Sequence, residues 1–127
     1  MGGGAYNGIA FTTSTDATVV SISTGSVTAI RQTASTTARS SVTQSSTSVT
    51  LQAANTARLG WSCFNRPTQS ANLYVKFGAT ASTSDFDVQM APDALYELPT
   101  VPVYTGRIDG VWDSTGTGVA RVTEWLA

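Results

Sequence analysis

Two aspartates and a tryptophan lie close together in the stretch YTGRIDGVWDSTGTGVARVTEW, at residues 104–125. Asp109 and Asp113 alternate with glycine and hydroxyl residues, a composition that could supply oxygen ligands to calcium. Their spacing, however, matches neither an EF-hand loop nor a calcium-binding nonapeptide repeat. With Trp112 as a platform for a sugar ring, the same carboxylates could instead serve a glycoside hydrolase or a carbohydrate-binding site.

Turn chemistry explains both aspartates more simply, because each is followed within three residues by a glycine. Aspartate at such a position can accept a hydrogen bond from the backbone of its own turn. Arg107 and Arg121 could then pair with Asp109 and Glu124 across a hairpin. We therefore favour a structural role for this stretch over a catalytic one.

A second acidic pair, Asp85 and Asp87, lies in the segment DFDVQM. Residues two apart in a strand point to the same side of the sheet, so these carboxylates could form half of a calcium site or a general acid–base pair. No calcium-loop pattern surrounds them. The solvent-facing side of a strand is the interpretation that we favour.

The inventory of nucleophiles and metal ligands is short. The chain has no histidine and a single cysteine, which excludes disulfide frameworks, the common zinc sites and histidine-dependent Cys or Ser catalysis. Cys63 lies between Trp61 and Phe64 and is expected to be a small buried apolar residue. We expect no enzymatic activity, no metal and no cofactor.

The overall charge is low: 12% of the residues are charged and the net charge is −1. No basic patch is available to neutralise phosphates, so we expect no nucleic-acid partner. Serine and threonine are abundant instead, which suits a protein packed against other proteins. The N-terminus has no signal-peptide pattern and no apolar run approaches about 20 residues, so we expect no membrane partner.

Short segments with alternating apolar and polar residues follow one another from about Thr47 onwards. They are SVTLQA, LGWSCFN, NLYVKFG, DFDVQM, ALYELP, GRIDGVW and GVARVTEW. The apolar side would carry Leu59, Trp61 and Cys63 in the second segment, and Phe86, Val88 and Met90 in the fourth. This period of two predicts an all-β fold, either an antiparallel β-sandwich or a small jelly-roll-like barrel.

Residues 1–46 are rich in glycine, serine and threonine and lack the apolar periodicity needed for a core. We expect an extended N-terminal arm there, with possible short strands in ATVVSIS and SVTAI, followed by a sandwich domain over residues 47–127. Aromatic residues are common at interfaces. The interface candidates are Tyr6 and Phe11 in the arm, with Trp112 and Trp125 in the sandwich.

Several blocks between residues 46 and 125 occur in an order that resembles a known family. They are SSTSVTLQAANTARLGWSCFNRP, ANLYVKFG, DFDVQMAPDALYELP and YTGRIDGVWDSTGTGVARVTEW. This order resembles small structural proteins of tailed bacteriophages, which share patterns such as VTLxAANxARxG, LYVKxG and YTGxIxGIW. The chain departs from the family pattern at residues 61–64, at Asp93, where glycine is usual, and at Asp113.

The resemblance implies a virion structural protein without catalytic residues. The expected function is capsid decoration: a homotrimeric cement protein that binds the major capsid protein on the capsid surface after assembly in the host cytoplasm. Two alternatives stay open at this point. One is a neck, tail or head-fibre attachment protein, and the other is a carbohydrate-binding module for host recognition.

Overall fold

The computed structural model describes residues 32–127, and the regular elements of this part of the chain are all β-strands. The eight strands are β1 (Thr36–Thr43), β2 (Val49–Gln52), β3 (Arg58–Arg66), β4 (Leu73–Phe77), β5 (Val88–Met90), β6 (Leu95–Glu97), β7 (Ile108–Trp112) and β8 (Val119–Leu126). The all-β fold expected from the sequence is confirmed. Residues 32–127 include no helix that could cross a membrane.

The strands form two antiparallel sheets of four strands each. Sheet A has the order β1-β8-β3-β6, and sheet B has the order β2-β7-β4-β5. Apolar residues from both sheets meet in one buried cluster, which includes Trp61 and Val122 from sheet A and Val75 and Ile108 from sheet B. Two sheets that share one core in this way form a β-sandwich.

Alternate residues of each strand face the core, as the period of two predicts. In β3, Trp61 and Cys63 are buried, whereas Ser62 and Phe64, the neighbours of Cys63, are only half-buried. Leu59 departs from the expected alternation because a register shift between Arg58 and Gly60 interrupts the pairing of β3 with β8. Arg58 is therefore buried in place of Leu59, which is only half-buried.

Strand β7 is buried along its whole length. The connection from β4 to β5 crosses over β7. Its buried residue Ala81 donates its N–H to Ser48 Oγ (3.0 Å), and Ser48 lies just before β2, the strand on the other side of β7 from β4. On the core side, Gly110 allows Leu51 to approach closely. A Cβ atom at residue 110 would lie only 2.7 Å from Leu51 Cδ1.

The segment DFDVQM forms a shorter strand than the sequence predicts. Only Val88–Met90 belongs to β5, and Phe86 is 37% exposed instead of facing the core. The ring of Phe86 packs edge-on against Tyr74, with 4.9 Å between the ring centroids. Phe86 therefore leaves the apolar alternation and packs on the outer side of sheet B.

Strand β1 lies within the segment that we expected to be an arm. It pairs with β8 over its full length, from Thr36 opposite Leu126 to Thr43 opposite Val119. Seven of its eight residues are exposed, so main-chain hydrogen bonds rather than buried side chains hold it in place. The sandwich thus begins at β1 rather than at residue 47, and residues 1–31 lie outside the described part of the chain.

Candidate functional site

The four interface candidates fall in different places. Tyr6 and Phe11 lie outside the described residues, so the structure says nothing about them. Trp112 is 1% exposed and belongs to the core, which corrects its assignment as an interface residue and as a platform for a sugar. A buried indole ring cannot contact a partner or a glycan without unfolding of the sandwich.

Trp125 is half-buried on the outer side of sheet A. Its ring lies over Gly60, where an added Cβ would be 3.5 Å from the ring atom Cε3. Together with Leu98 and Val101 it lines a groove of about 550 Å³ that also includes Gln32. Of the predicted interface residues in residues 32–127, Trp125 is the one whose side chain reaches the surface.

The ion pairs expected near the C-terminus are only partly as predicted. Arg107 Nε donates to Asp109 Oδ1 (2.7 Å) and Arg107 Nη2 to Asp109 Oδ2 (3.0 Å). This carboxylate raises the pKa of the Arg107 guanidinium above its ordinary value. The hydrogen bonding to Asp109 is the larger cause, and the negative charge of Asp109 is the smaller one. Glu124, in contrast, pairs with Arg58 and not with Arg121, because Glu124 faces the core while Arg121 faces outward.

Asp113 accepts a hydrogen bond from the N–H of Asn72 (3.2 Å), on a different loop from its own turn. The bond ties the segment after β7 to the residues before β4. Asp109 is fully buried and both of its oxygens are bonded to Arg107. Both aspartates therefore have structural partners, but the predicted turn is wrong for Asp109, which lies with Gly110 inside strand β7.

Arg58 and Glu124 form the centre of a buried polar network. Arg58 Nε donates to Glu124 Oε2 (2.8 Å), and the two remaining nitrogens of the guanidinium donate to the carbonyls of Ala53 (2.7 Å), Tyr104 (2.8 Å) and Gly106 (3.0 Å). The other oxygen of Glu124 accepts from the side chains of Gln52 (3.3 Å) and Asn55 (3.4 Å). A buried charge needs such partners, and here they connect two loops to β3 and β8.

Asn65 occupies a second buried polar position, and it explains the orientation of Trp112. The indole N–H of Trp112 donates to Asn65 Oδ1 (2.9 Å), while Asn65 Nδ2 donates to the carbonyls of Ala71 (3.2 Å), Met90 (3.1 Å) and Ala91 (3.1 Å). The main chain of Asn65 also bonds Asp93 and Ala94. One side chain thus fixes the turn between β5 and β6 to the core.

The residues Asp85, Phe86 and Asp87 form an exposed segment, which we call the acidic loop. Asp85 pairs with Lys76 Nζ (2.6 Å). Asp87 Oδ2 accepts from the N–H of Phe77 (2.8 Å), and its own N–H donates to the carbonyl of Val75 (2.7 Å). These contacts fix the loop against β4, and both carboxylates are exposed as the sequence analysis favoured.

Cys63 is completely buried between the sheets, in agreement with its expected role. Burial raises the pKa of its thiol to about 12. A thiol with such a pKa is protonated at neutral pH and is a poor nucleophile. Within residues 32–127, no three acidic, cysteine or histidine side chains are grouped closely enough to hold a metal ion.

Three buried polar residues, Arg58, Asn65 and Gln44, were not predicted from the sequence. Gln44 ties the end of β1 to two loops, since its Nε2 donates to the carbonyl of Ser114 (2.9 Å) and its Oε1 accepts from the N–H of Thr68 (2.8 Å). A signal existed for Asn65, which follows Trp61 and Cys63 at a spacing of two. Gln44 and Arg58 had no such signal, because one follows the end of a strand and the other precedes a bulge.

Comparison of the chain with protein-family models, curated proteins and solved structures found no match.

Proposed function

We propose that the chain is a non-enzymatic structural protein of a tailed-bacteriophage virion, and specifically a capsid decoration protein. The observation that carries this proposal is the ordered set of sequence blocks between residues 46 and 125, which resembles small virion proteins. In this role the protein binds the major capsid protein lattice from outside and stabilises the head. The proposed assembly on that surface is a homotrimer.

The positions of the resembling residues support this proposal. Arg58 and Glu124, both within the blocks, form the buried ion pair, and Gly110 allows the close contact with Leu51. Asp93, where the family usually has glycine, has a φ of 63°, in the left-handed region that glycine adopts most easily. These residues of the blocks thus stabilise the scaffold, which suits a structural protein.

The proposed role of the N-terminal arm is to pair with neighbouring subunits in the shell. An extended segment can add a strand to a free sheet edge, where main-chain hydrogen bonds supply the affinity. Strand β1 offers such an edge, because among residues 32–127 only β8 pairs with it. Many weak contacts of this kind add up across a capsid.

The test is binding of the full-length chain to purified capsids that lack it, measured by co-sedimentation. We expect saturable binding and an increase in the temperature at which the capsids open. The double substitution Tyr6→Ser and Phe11→Ser should weaken binding about tenfold or more, because aromatic contacts carry much of the energy of an interface. The control Val101→Ser changes an exposed apolar residue outside the arm and should bind normally.

The copy number in purified virions separates decoration from a neck or tail position. Hundreds of copies are expected for a protein that covers the capsid lattice. Six or twelve copies would assign the chain to a ring at the neck or tail and contradict the decoration role. No binding to capsids together with absence from virions would refute both versions.

A further inference from the structure

The outer side of sheet A carries three arginines next to two apolar side chains. Phe64 on β3 lies directly opposite Arg121 on β8 and Leu95 on β6, so these three residues form one row across the sheet. Arg66 follows Phe64 on the same side of β3. Arg39 on β1 lies opposite Thr123, one row further along. We call Phe64, Leu95 and the three arginines the arginine face.

The arginine face differs in charge from the rest of the described surface. Arg58, Lys76 and Arg107 each pair with a carboxylate, whereas Arg39, Arg66 and Arg121 make no ion pair with any residue between 32 and 127. All three are exposed. On the outer side of the strands of sheet A, the one acidic residue is Glu97, which lies opposite Ser62. The face therefore has an excess of positive charge around an apolar centre, since Leu95 is 60% exposed.

The acidic loop has the opposite arrangement. Its aromatic residue, Phe86, is partly exposed and is flanked in sequence by the exposed carboxylates of Asp85 and Asp87. Contacts with Tyr74 and Lys76, on the outer side of sheet B, hold the loop in place. The same chain thus presents an aromatic ring between two acids on one sheet and an aromatic ring between arginines on the other.

We propose that two copies of this chain bind head to tail, with the acidic loop of one copy on the arginine face of the next. In this contact Phe86 packs on Phe64 and Leu95, while Asp85 and Asp87 lie near Arg66 and Arg121. Arginines and aromatic residues are the types that contribute most at protein interfaces. Complementary charges around them fix the orientation and exclude other partners.

A second copy fits this face better than a nucleic acid does. A phosphate backbone requires a continuous run of positive charge, whereas here apolar side chains occupy the centre and Glu97 lies among the arginines. Because the two surfaces differ, the contact is heterologous. Repetition of a heterologous contact gives a closed ring or an open array, depending on the rotation between subunits.

The test uses the full-length chain in sedimentation-velocity experiments at concentrations up to about 1 mM. We expect concentration-dependent association at low ionic strength that weakens at 1 M salt, where the screening length falls to about 3 Å. Arg121→Glu and Asp85→Arg, each made alone, should weaken association about tenfold or more, since like charges then meet. Thr56→Glu, a charge change in an exposed turn elsewhere, should leave association unchanged.

Exchange of the two charges makes the test specific. A mixture of the Arg121→Glu chain with the Asp85→Arg chain should associate again, because the unchanged loop of the first fits the unchanged face of the second, and the reversed face matches the reversed loop. Circular dichroism of each variant checks that it is folded before association is compared.

Three results would overturn the proposal. They are a monomer at all concentrations, association unaffected by Arg121→Glu, and failure of the mixture to associate although both variants are folded. Binding of a DNA oligonucleotide that Arg121→Glu abolishes would assign the face to phosphate and also overturn it. Because no capsid is present, failure here leaves the proposed decoration function standing, and capsid binding is measured separately.

Discussion

At the scale of single residues, the buried charges are the most informative feature. Arg58 and Glu124 have side-chain exposures of 0% and 4%, whereas each of the other two ion pairs within residues 32–127 has a partner that is at least half exposed. Removal of two charges from water is costly, and the attraction between them offsets that cost only if the remaining donors and acceptors are satisfied. Here three carbonyls and two amide side chains satisfy them.

Loss of the charge of Glu124 should therefore be expensive. We expect Glu124→Gln to lower the free energy of unfolding by about 3 kcal/mol, because Arg58 stays buried without a counter-charge. Urea unfolding followed by tryptophan fluorescence measures this. Glu97→Gln, the same change at an exposed position, should stay within about 0.5 kcal/mol of the wild type. An equal stability of the two variants would contradict the structural role of the ion pair.

Cys63 makes the stability depend on alkaline pH. The folded protein keeps the thiol protonated up to a pKa of about 12, whereas the unfolded chain releases the proton near the ordinary value of 9.0. Between these values the unfolded state binds fewer protons, so the free energy of unfolding falls as the pH rises, by about 1.4 kcal/mol per unit well above pH 9. Below pH 9 the two states are protonated alike and the effect is absent.

The comparison with Cys63→Ala isolates this effect. Between pH 8 and pH 10 the wild type should lose about 1.4 kcal/mol more than the variant, as measured by urea unfolding at each pH. Burial and the nearby charge of Asp87 also raise the pKa of Tyr96. The resulting loss of stability is the same in both proteins and cancels in the comparison. Parallel pH profiles for the two proteins would show that Cys63 ionises equally in the folded and unfolded states.

At the scale of elements, the turn between β5 and β6 stores strain. Asp93 has a φ of 63°, a conformation that costs about 1 kcal/mol for most residues and little for glycine. We expect Asp93→Ala to be less stable than Asp93→Gly by about 1 kcal/mol, with the wild type between them or equal to glycine. Thermal unfolding ranks the three proteins. Ala91→Gly, in the same turn, should destabilise, so a gain there would contradict the argument.

Strand β1 is held by one row of hydrogen bonds. The N–H of Gln44 donates to the carbonyl of Gly118, and the unbroken register places the N–H groups of Val42 and Ser40 toward β8 as well. Those of Arg39 and Ser41 point to the free edge. In the purified protein, hydrogen exchange should be slower at Ser40 and Val42 than at Arg39 and Ser41. Equal protection of all four would mean that another strand covers the edge.

The sequence predicted the elements well where apolar and polar residues alternate. The segment NLYVKFG forms β4 with Leu73 and Val75 in the core, as the spacing required. It could not predict β1, which is stabilised by main-chain bonds to β8 and carries no apolar pattern. It could not predict the pairing of Glu124 with Arg58 either. That choice depends on a bulge in β3, and a bulge changes which side of a strand a residue faces.

At the scale of the whole molecule, the chain divides into residues 1–31 and a compact unit of residues 32–127. Both sheets and all members of the buried apolar cluster belong to the second unit. The energy of folding that comes from apolar burial in this cluster is therefore contained in residues 32–127. On the proposed function, attachment belongs to residues 1–31, and the sandwich of residues 32–127 is expected to be stable by itself.

A truncation series tests that division. The fragment 32–127 should unfold with a free energy within about 1 kcal/mol of the full chain, because no core residue of the cluster is removed. The fragment 44–127 lacks β1 and exposes the backbone of β8, so it should be clearly less stable. Urea unfolding reports on both fragments, since Trp61 and Trp112 are buried and remain in each. If the fragment 32–127 lost several kcal/mol, residues 1–31 would have to be part of the stable fold, and their assignment as an attachment arm would fail.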